Sequence, residues 1–263
     1  MSSNEPVIRF VFFLGVFIVV AVWEAMAPRR RRQFSRWVRW PSNLGIVAVN
    51  TALVRLLLPT TAVAFALLGE QRGWGLLNNV GLPRWLAVAL AVLALDLAIY
   101  LQHVLFHAVP MLWRLHRMHH ADLDIDVTTG ARFHPIEIFA SMILKLAAIA
   151  ALGAPTEAVL VFEILLSATA MFNHANIRLP AGCDRILRWL VVTPDMHRVH
   201  HSIVPQETNS NFGFNVPWWD RLFGTYRAQP AEGHEAMTIG LPQFRDPPEL
   251  RLDRMLIQPF RRT

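Results

Sequence analysis

The 263-residue chain is 54% hydrophobic with 17% charged residues and has a mean hydropathy of +0.34, which points to a bilayer rather than water as its main solvent. A formal net charge of +6 would suit nucleic acid, an anionic membrane surface or acidic partners, but the basic residues show no recognition motif, so nucleic acid is set aside as a partner. A lone cysteine, Cys183, excludes an internal disulfide framework and any multi-cysteine zinc or iron–sulfur centre.

Residues 7–27 form the first apolar run, long enough to cross a hydrocarbon core that takes about 20 helical residues. Its positive cluster, Arg29, Arg30, Arg31, Arg32, Arg36 and Arg39, comes after it. That order is the reverse of a secretory signal peptide, so the run is expected to stay as an anchor. The arginines are expected to hold its end in the cytoplasm through positive-inside bias and contact with anionic headgroups. Residues 44–68 and 85–106 read as a second and a third span. Two shorter stretches, 136–152 and 156–172, are separated by Gly153, Ala154 and Pro155 and read as a tight helical hairpin, either spanning or re-entrant. The expected fold is thus an all-α integral membrane protein with four to five transmembrane helices and a cytoplasmic helical cap.

Counting crossings from the arginine cluster puts the loop at 69–83 outside and Phe106 inside, and a hairpin that goes out and returns leaves His174 at the cytoplasmic edge. Arg55, Asp96, Lys145 and Glu163 fall inside apolar runs, where an unpaired charge costs at least a few kcal/mol, so they are expected to face the bundle as ion pairs or in polar pockets. Asp96, Tyr100, His103 and His107 are spaced to share one helix face.

Eleven histidines are present, and their spacing matters more than their number. The pattern is His103-x-x-x-His107, His116-x-x-His119-His120 and His197-x-x-His200-His201. Residues at i, i+3 and i+4 project from one face of a helix, so their imidazoles are able to converge on a metal without distorting the backbone. Each doublet lets adjacent residues serve neighbouring ions. Eight such ligands exceed the needs of one tetrahedral zinc and suggest two ions with open positions for oxygen or water. Imidazole suits zinc, copper, iron and nickel alike, so ligand type alone does not choose the metal.

These boxes, together with Phe133-His134-Pro135-Ile136-Glu137, Asn173-His174-Ala175-Asn176, Asn209-Ser210-Asn211-Phe212-Gly213 and the run from Trp218, Trp219 and Asp220 to Tyr226, resemble the fatty acid hydroxylase and sterol desaturase superfamily of membrane di-iron oxygenases, and most of all its bacterial sterol desaturase family proteins. The resemblance covers residues 96–227. It implies two iron ions, dioxygen as co-substrate, and nine ligands: the eight box histidines plus His174. It gives His134 a supporting role ahead of direct ligation. It divides the chain into anchor helices at 1–84, a catalytic domain at 85–227 and a cytoplasmic tail at 228–263. The implied reaction is hydroxylation or desaturation of a fatty acyl, sterol-like or other membrane lipid, at the cytoplasmic side of a bacterial inner membrane.

Ligating histidines need an acceptor for their second ring N–H, and Asp96, Asp122, Glu137 and Asp195 are the candidates near the boxes. His234 is read as an exposed histidine outside the site, and Trp218, Trp219 and Tyr226 as interfacial anchors. No cytochrome b5 signature, cysteine-rich segment or dinucleotide fingerprint is present, so electrons are expected from an external ferredoxin or cytochrome. Three rival readings are a histidine-rich metal-binding or metal-transport membrane protein, a bis-histidine haem carrier and a zinc hydrolase.

Overall fold

The computed structural model of the protein describes residues 5–262. The described residues are helical with no named strand, and two isolated bridges join distant segments. Seven helices lead: α1 Glu5–Met26, α2 Arg36–Leu57, α3 Ala62–Arg72, α4 Arg84–Ala108, α5 Pro110–His120, α6 Pro135–Leu152 and α7 Thr156–Asn173. Short helices follow: α8 Ala181–Leu187, α9 Pro194–His200, α10 Pro205–Thr208, α11 Trp218–Leu222, α12 Gly233–Ala236 and α13 Leu252–Ile257.

Among the described residues, five segments are long and apolar enough to cross a membrane: α1, α2 with α3, α4, α6 and α7. Their outward faces are apolar. On α1 only Val20 and Glu24 are buried, while Phe10, Val11, Phe12 and Val19 are exposed, as suits a helix whose solvent is lipid. The inner faces of α3, α4, α6 and α7 form the main core around Ala91, Leu95, Ile149, Val159 and Phe162.

The second span is not the continuous helix expected at 44–68. It starts earlier, at Arg36, and breaks after Leu57. Pro59 disfavours helical backbone at the residue before it, and Leu58 is extended (φ −109°, ψ 123°). Thr61 restarts the chain as the N-cap of α3, its side chain accepting from Ala64 N. Arg55, near the break, is exposed and borders a cavity beside Glu5 and Arg9 rather than facing the bundle core.

The arginine cluster also departs from expectation. Only Arg31 and Arg32 are fully exposed. Arg29 pairs with Asp195 at 3.2 Å, Arg36 with Glu24 at 3.3 Å, and the fully buried Arg39 donates to both oxygens of Asp122, at 2.8 and 2.7 Å, and to Asp126 at 2.5 Å. These carboxylates lie up to 166 residues away in sequence. Buried charges persist when paired and hydrogen-bonded, so most of the cluster serves as internal ties. Arg39, Asn43, Ile46 and Asn50 are the buried residues of α2. They form one stripe that packs on Met118 of α5 and grips the buried loop between α5 and α6 through Thr128 and the Phe133 carbonyl.

At the opposite end, the turn between α6 and α7 meets the loop after α3. Leu76 N and Leu77 N donate to Ala151 O and Leu152 O at 3.1 and 2.7 Å. A Cβ on Gly75 would come within 2.0 Å of Gly153 N, so the two chains touch only because both are glycine there. The 18 residues of α6 separate this end from the cap by about 27 Å.

Candidate metal centre

All three histidine boxes start from helices fixed by this bundle. His103 and His107 lie in the last turns of α4, which continues two residues later into α5, bearing His116, His119 and His120. His174 is the C-cap of α7. Thr193 caps α9 by accepting from Met196 N, and α9 carries His197 and His200 and ends on His201.

Nine imidazoles converge in two groups. His103, His107, His116, His120 and His200 form one, and His119, His174, His197 and His201 the other, each with its ligand atoms within 4.8 Å of one another. The ring planes of His119 and His120 lie at 90° to each other, and those of His200 and His201 at 85°. Neighbouring side chains on a helix diverge by about 100°, so each doublet divides between the two groups.

The second ring nitrogens explain which way the first ones point. Nδ1 of His103 lies 2.8 Å from Phe212 O, of His107 3.2 Å from Asn209 Oδ1, of His116 2.6 Å from Glu137 Oε1, of His119 3.2 Å from Arg132 O, of His174 2.7 Å from Ala170 O and of His200 2.7 Å from Ser210 O. All six partners are oxygen acceptors, so these Nδ1 atoms carry the proton and Nε2 presents a lone pair.

Those lone pairs face one another. Nε2 to Nε2 is 3.1 Å for His103–His116, His107–His120, His119–His174 and His174–His197. With Nδ1 protonated on both rings of His103–His116 and of His119–His174, no proton lies between those Nε2 atoms, and apposed lone pairs are satisfied by a cation. Nitrogens bound at about 2.1 Å stand about 3 to 4 Å apart around one ion. The buried Nε2 atoms of His200 and His201 have no protein partner. The donor set therefore fits a transition-metal ion in each group.

Electrostatics favour the ligand form. Burial, reinforced by neighbouring imidazoles, pulls His119, His120, His197, His200 and His201 well below the ordinary histidine range, and burial brings His174 to about 4. Neutral imidazole binds metal without first releasing a proton. Phe133 stacks on His119 at 4.5 Å, and Phe212 and Phe214 pack on His103 at 5.4 and 5.2 Å, which keeps water from the rings.

A cavity of about 280 Å³ runs from His103 and His116 down between α4, α6 and α7 past Phe106, Phe133 and Leu166. It adjoins a second, of about 780 Å³, between α1, α2, α6 and α7, through shared walls at Phe133, Ile138 and Met142. Lys145 and Arg9 both pair with Glu163 there, at 2.7 and 2.9 Å.

Of the carboxylates near the boxes, Glu137 alone reaches a box histidine. Asp96 instead accepts from Trp219 Nε1 at 2.8 Å and Asn215 N at 3.3 Å. Asp122 is occupied by Arg39, and Asp195 by Arg29 and Arg198. His134 lies outside both groups: it caps α6 by accepting from Ile136 N at 3.2 Å, and its Nε2 sits 3.2 Å from Leu256 O. It thus sits at the N-terminus of the helix that carries Glu137.

His234 is not an exposed histidine. It is 4% exposed, 3.7 Å from Asp195, with its carbonyl taken by Arg30. Trp219 and Tyr226 do not serve as simple interfacial anchors either, for Trp219 holds Asp96 and Tyr226 stacks under Arg221 at 4.0 Å.

Several contributors have no metal-ligand side chain and act through backbone carbonyls or, for Asn209, an amide oxygen. Three of the six Nδ1 acceptors come from residues 209–212. Asp220 fixes this stretch by accepting from Phe212 N and Gly213 N at 2.8 and 2.9 Å. Asn211 adopts φ +53°, a conformation asparagine tolerates better than most residues, and its side chain bonds Met196 O and Arg227 O. Gly130 lies beneath His174, where a Cβ would come within 2.3 Å of Ala170 O and 3.2 Å of His174 Nδ1.

The sequence model of the family described as fatty acid hydroxylase matches residues 88–225. The chain is 32% identical over 148 residues to an ornithine lipid hydroxylase of Rhizobium tropici, covering 56% of this chain and 44% of that protein. It is 30% identical over 138 residues to an alkylglycerol monooxygenase of Xenopus tropicalis, covering 52% and 30%, and 28% identical over 155 residues to a fatty acid hydroxylase of a Lecanicillium species, covering 54% and 42%. The match thus spans less than half the length of each relative. No solved structure matches the chain.

Proposed function

This chain belongs to the fatty acid hydroxylase family, and from that premise we propose that it is an oxidoreductase that uses dioxygen and two iron ions to hydroxylate a C–H bond of a membrane lipid. The observation that carries the reading is the division of nine imidazoles into two groups. In this reading the five-histidine group holds one ion and the four-histidine group the other.

When bound, an iron pair supplies the reduction of dioxygen to an oxidant strong enough to attack an unactivated C–H bond. The residues of this chain do the rest. Glu137 Oε1 and the carbonyls of Phe212, Arg132, Ala170 and Ser210 hold the protons on Nδ1 and keep each Nε2 turned inward. Phe133, Phe212 and Phe214 exclude water. The adjoining cavities give an acyl chain a route from between α1 and α2 to His103 and His116.

The relatives named above act on an ornithine lipid, an alkylglycerol and a fatty acid, which favours hydroxylation over desaturation and a substrate with at least one long apolar chain. Electrons come from a separate carrier, a ferredoxin or cytochrome. The active site faces the cytoplasm of a bacterial inner membrane, because the arginine-rich linker between α1 and α2 packs against the histidine-bearing cap through Arg29–Asp195 and Arg39–Asp122. The α6–α7 hairpin crosses the bilayer fully, its turn meeting the loop after α3 at the outer end.

Reconstitution of the purified protein with ferrous iron tests the proposal. Two irons per chain are expected, with oxygen uptake that requires both a reductant and lipid, and with label from ¹⁸O₂ in a hydroxylated lipid. One metal per chain regardless of loading, or lipid turnover without oxygen, would reject it.

A further inference from the structure

A third cavity, of about 910 Å³, contains none of the nine grouped histidines and opens between α8, α11, α12 and the linker before α8. Five arginines and three carboxylates line it, and all three carboxylates are already engaged. Asp195 and Glu235 are held by Arg29 at 3.2 and 2.8 Å, Glu235 also by Arg178 at 2.8 Å, and Asp184 by Arg188 Nε at 2.6 Å. Arg185 and Arg221 have no carboxylate within ion-pair distance among the described residues. The wall therefore carries surplus positive charge at two places.

Two of its donors lack a partner although others on the same side chains are engaged, Arg188 donating to Asp184 and Ala228 O and Arg221 to Arg188 O. Arg188 is 5% exposed, and its Nη2 has no acceptor, nor does the buried Nε of Arg221. Buried guanidinium N–H groups are nearly always paired. Two in one basic cavity match an oxyanion, which Arg forks bind in the plane of their donors. Arg221 is pre-positioned, sandwiched between the rings of Trp189 at 3.9 Å and Tyr226 at 4.0 Å.

The exposed surface of the two elements that carry these arginines, of which Trp189 also lines the cavity, says where that anion comes from. Ile186, Trp189, Leu190, Trp218, Leu222 and Phe223 are all exposed, Leu222 at 69%. Their element leans on a membrane-length helix: Trp219 Nε1 bonds Asp96 of α4, and Phe223 stacks on Tyr100 of α4 at 5.5 Å. Trp218 Nε1 ties the same element to Trp189 O at 2.7 Å. An apolar, tryptophan-rich rim beside arginines is the composition of a surface at headgroup depth. We propose that this cavity is a binding site for the phosphate of an anionic membrane phospholipid, seated on Arg185, Arg188 and Arg221 with its acyl chains along the exposed rim.

The test uses full-length protein, delipidated in a neutral detergent and titrated with phosphatidylglycerol or phosphatidylcholine, with bound lipid counted by native mass spectrometry. One phosphatidylglycerol per chain is expected, bound roughly tenfold tighter than phosphatidylcholine. Arg221→Gln and Arg185→Ala should each bring phosphatidylglycerol down to the phosphatidylcholine level, whereas Arg251→Ala, at an exposed arginine elsewhere, should not. Arg185 is exposed and holds no ion pair among the described residues, so its replacement leaves folding intact and the result readable. Equal affinity for the two lipids, or a preference that survives Arg185→Ala, overturns the proposal. Inorganic phosphate binding as tightly as the phospholipid would make this a site for a soluble anion and overturn the lipid assignment.

Discussion

Glu137 Oε1 lies 2.6 Å from Nδ1 of His116, the one contact among the described residues in which a carboxylate orients a histidine of either group. The other Nδ1 acceptors found are carbonyl oxygens of the backbone or of Asn209. An anionic acceptor makes the imidazole a stronger donor to metal and fixes its tautomer.

Replacing Glu137 should therefore act on metal retention before it acts on folding. Glu137→Gln keeps the shape but removes the charge, and a loss of 10- to 100-fold in affinity is expected for one of two ions. Chelator titration with metal analysis would show a biphasic release in the variant. Release of both ions together at the wild-type chelator concentration would show that the contact is only structural.

His200→Ala should remove metal while the protein still inserts in the membrane, because its Nε2 faces only other ligands. His234→Ala should keep the full metal content and instead lower the unfolding temperature, since a buried ring is lost. Equal metal loss from both would mean that the two groups have been drawn wrongly.

Burial holds His234 at about 4 against an ordinary 6.5. As pH falls through 6.5 the unfolded chain takes up a proton at this residue and the folded chain does not, so the stability present above 6.5 is lost progressively toward 4. His234→Asn lacks this loss. The variant should be less stable than wild type at pH 7.5, and the gap in unfolding temperature should narrow at pH 4.5. A gap that widens in acid would contradict the assignment.

Gly130→Ala should disrupt the four-histidine group, because the new methyl would come within 2.3 Å of the carbonyl of Ala170, the same oxygen that holds His174 Nδ1. Loss of one metal ion with the other retained is the expected reading, whereas Gly182→Ala, with open space around it, should bind both.

The histidine boxes were legible in the sequence because i, i+3 and i+4 spacing is a local property of a helix, and the apolar runs because hydrophobic length is. The division of His119 from His120 also follows from helix geometry. What sequence did not show is long-range: Arg39 reads as one more basic residue after a span, yet it is sealed against Asp122 and Asp126. His234, 33 residues past the last box, gives no sign that Arg30 and Asp195 enclose it. The carbonyls of Phe212 and Ser210 were invisible as acceptors, since any residue supplies a carbonyl. Leu58–Thr61 was legible in principle, through Pro59, but the apolar run on either side masked it.

Sidedness is testable with the native chain. Cys183 is free and exposed and lies on α8, joined to the histidine end. A membrane-impermeant thiol reagent should reach it only in inside-out vesicles, while Gly73→Cys in a Cys183→Ala background should react in intact cells. Labelling of both from one side would refute the cytoplasmic placement.

The doublets have a consequence for how the centre behaves as a unit. His119 and His120 reach different groups from adjacent Cα atoms, as do His200 and His201, and adjacent Cα atoms are about 3.8 Å apart across a trans peptide. Two such covalent rulers, on α5 and α9, tie the two groups together. Turning either helix to bring the imidazoles of one group closer moves those of the other, so the two groups are coupled through α5 and α9, whereas a contact peculiar to one group, such as Gly130 beneath His174, acts on that group alone.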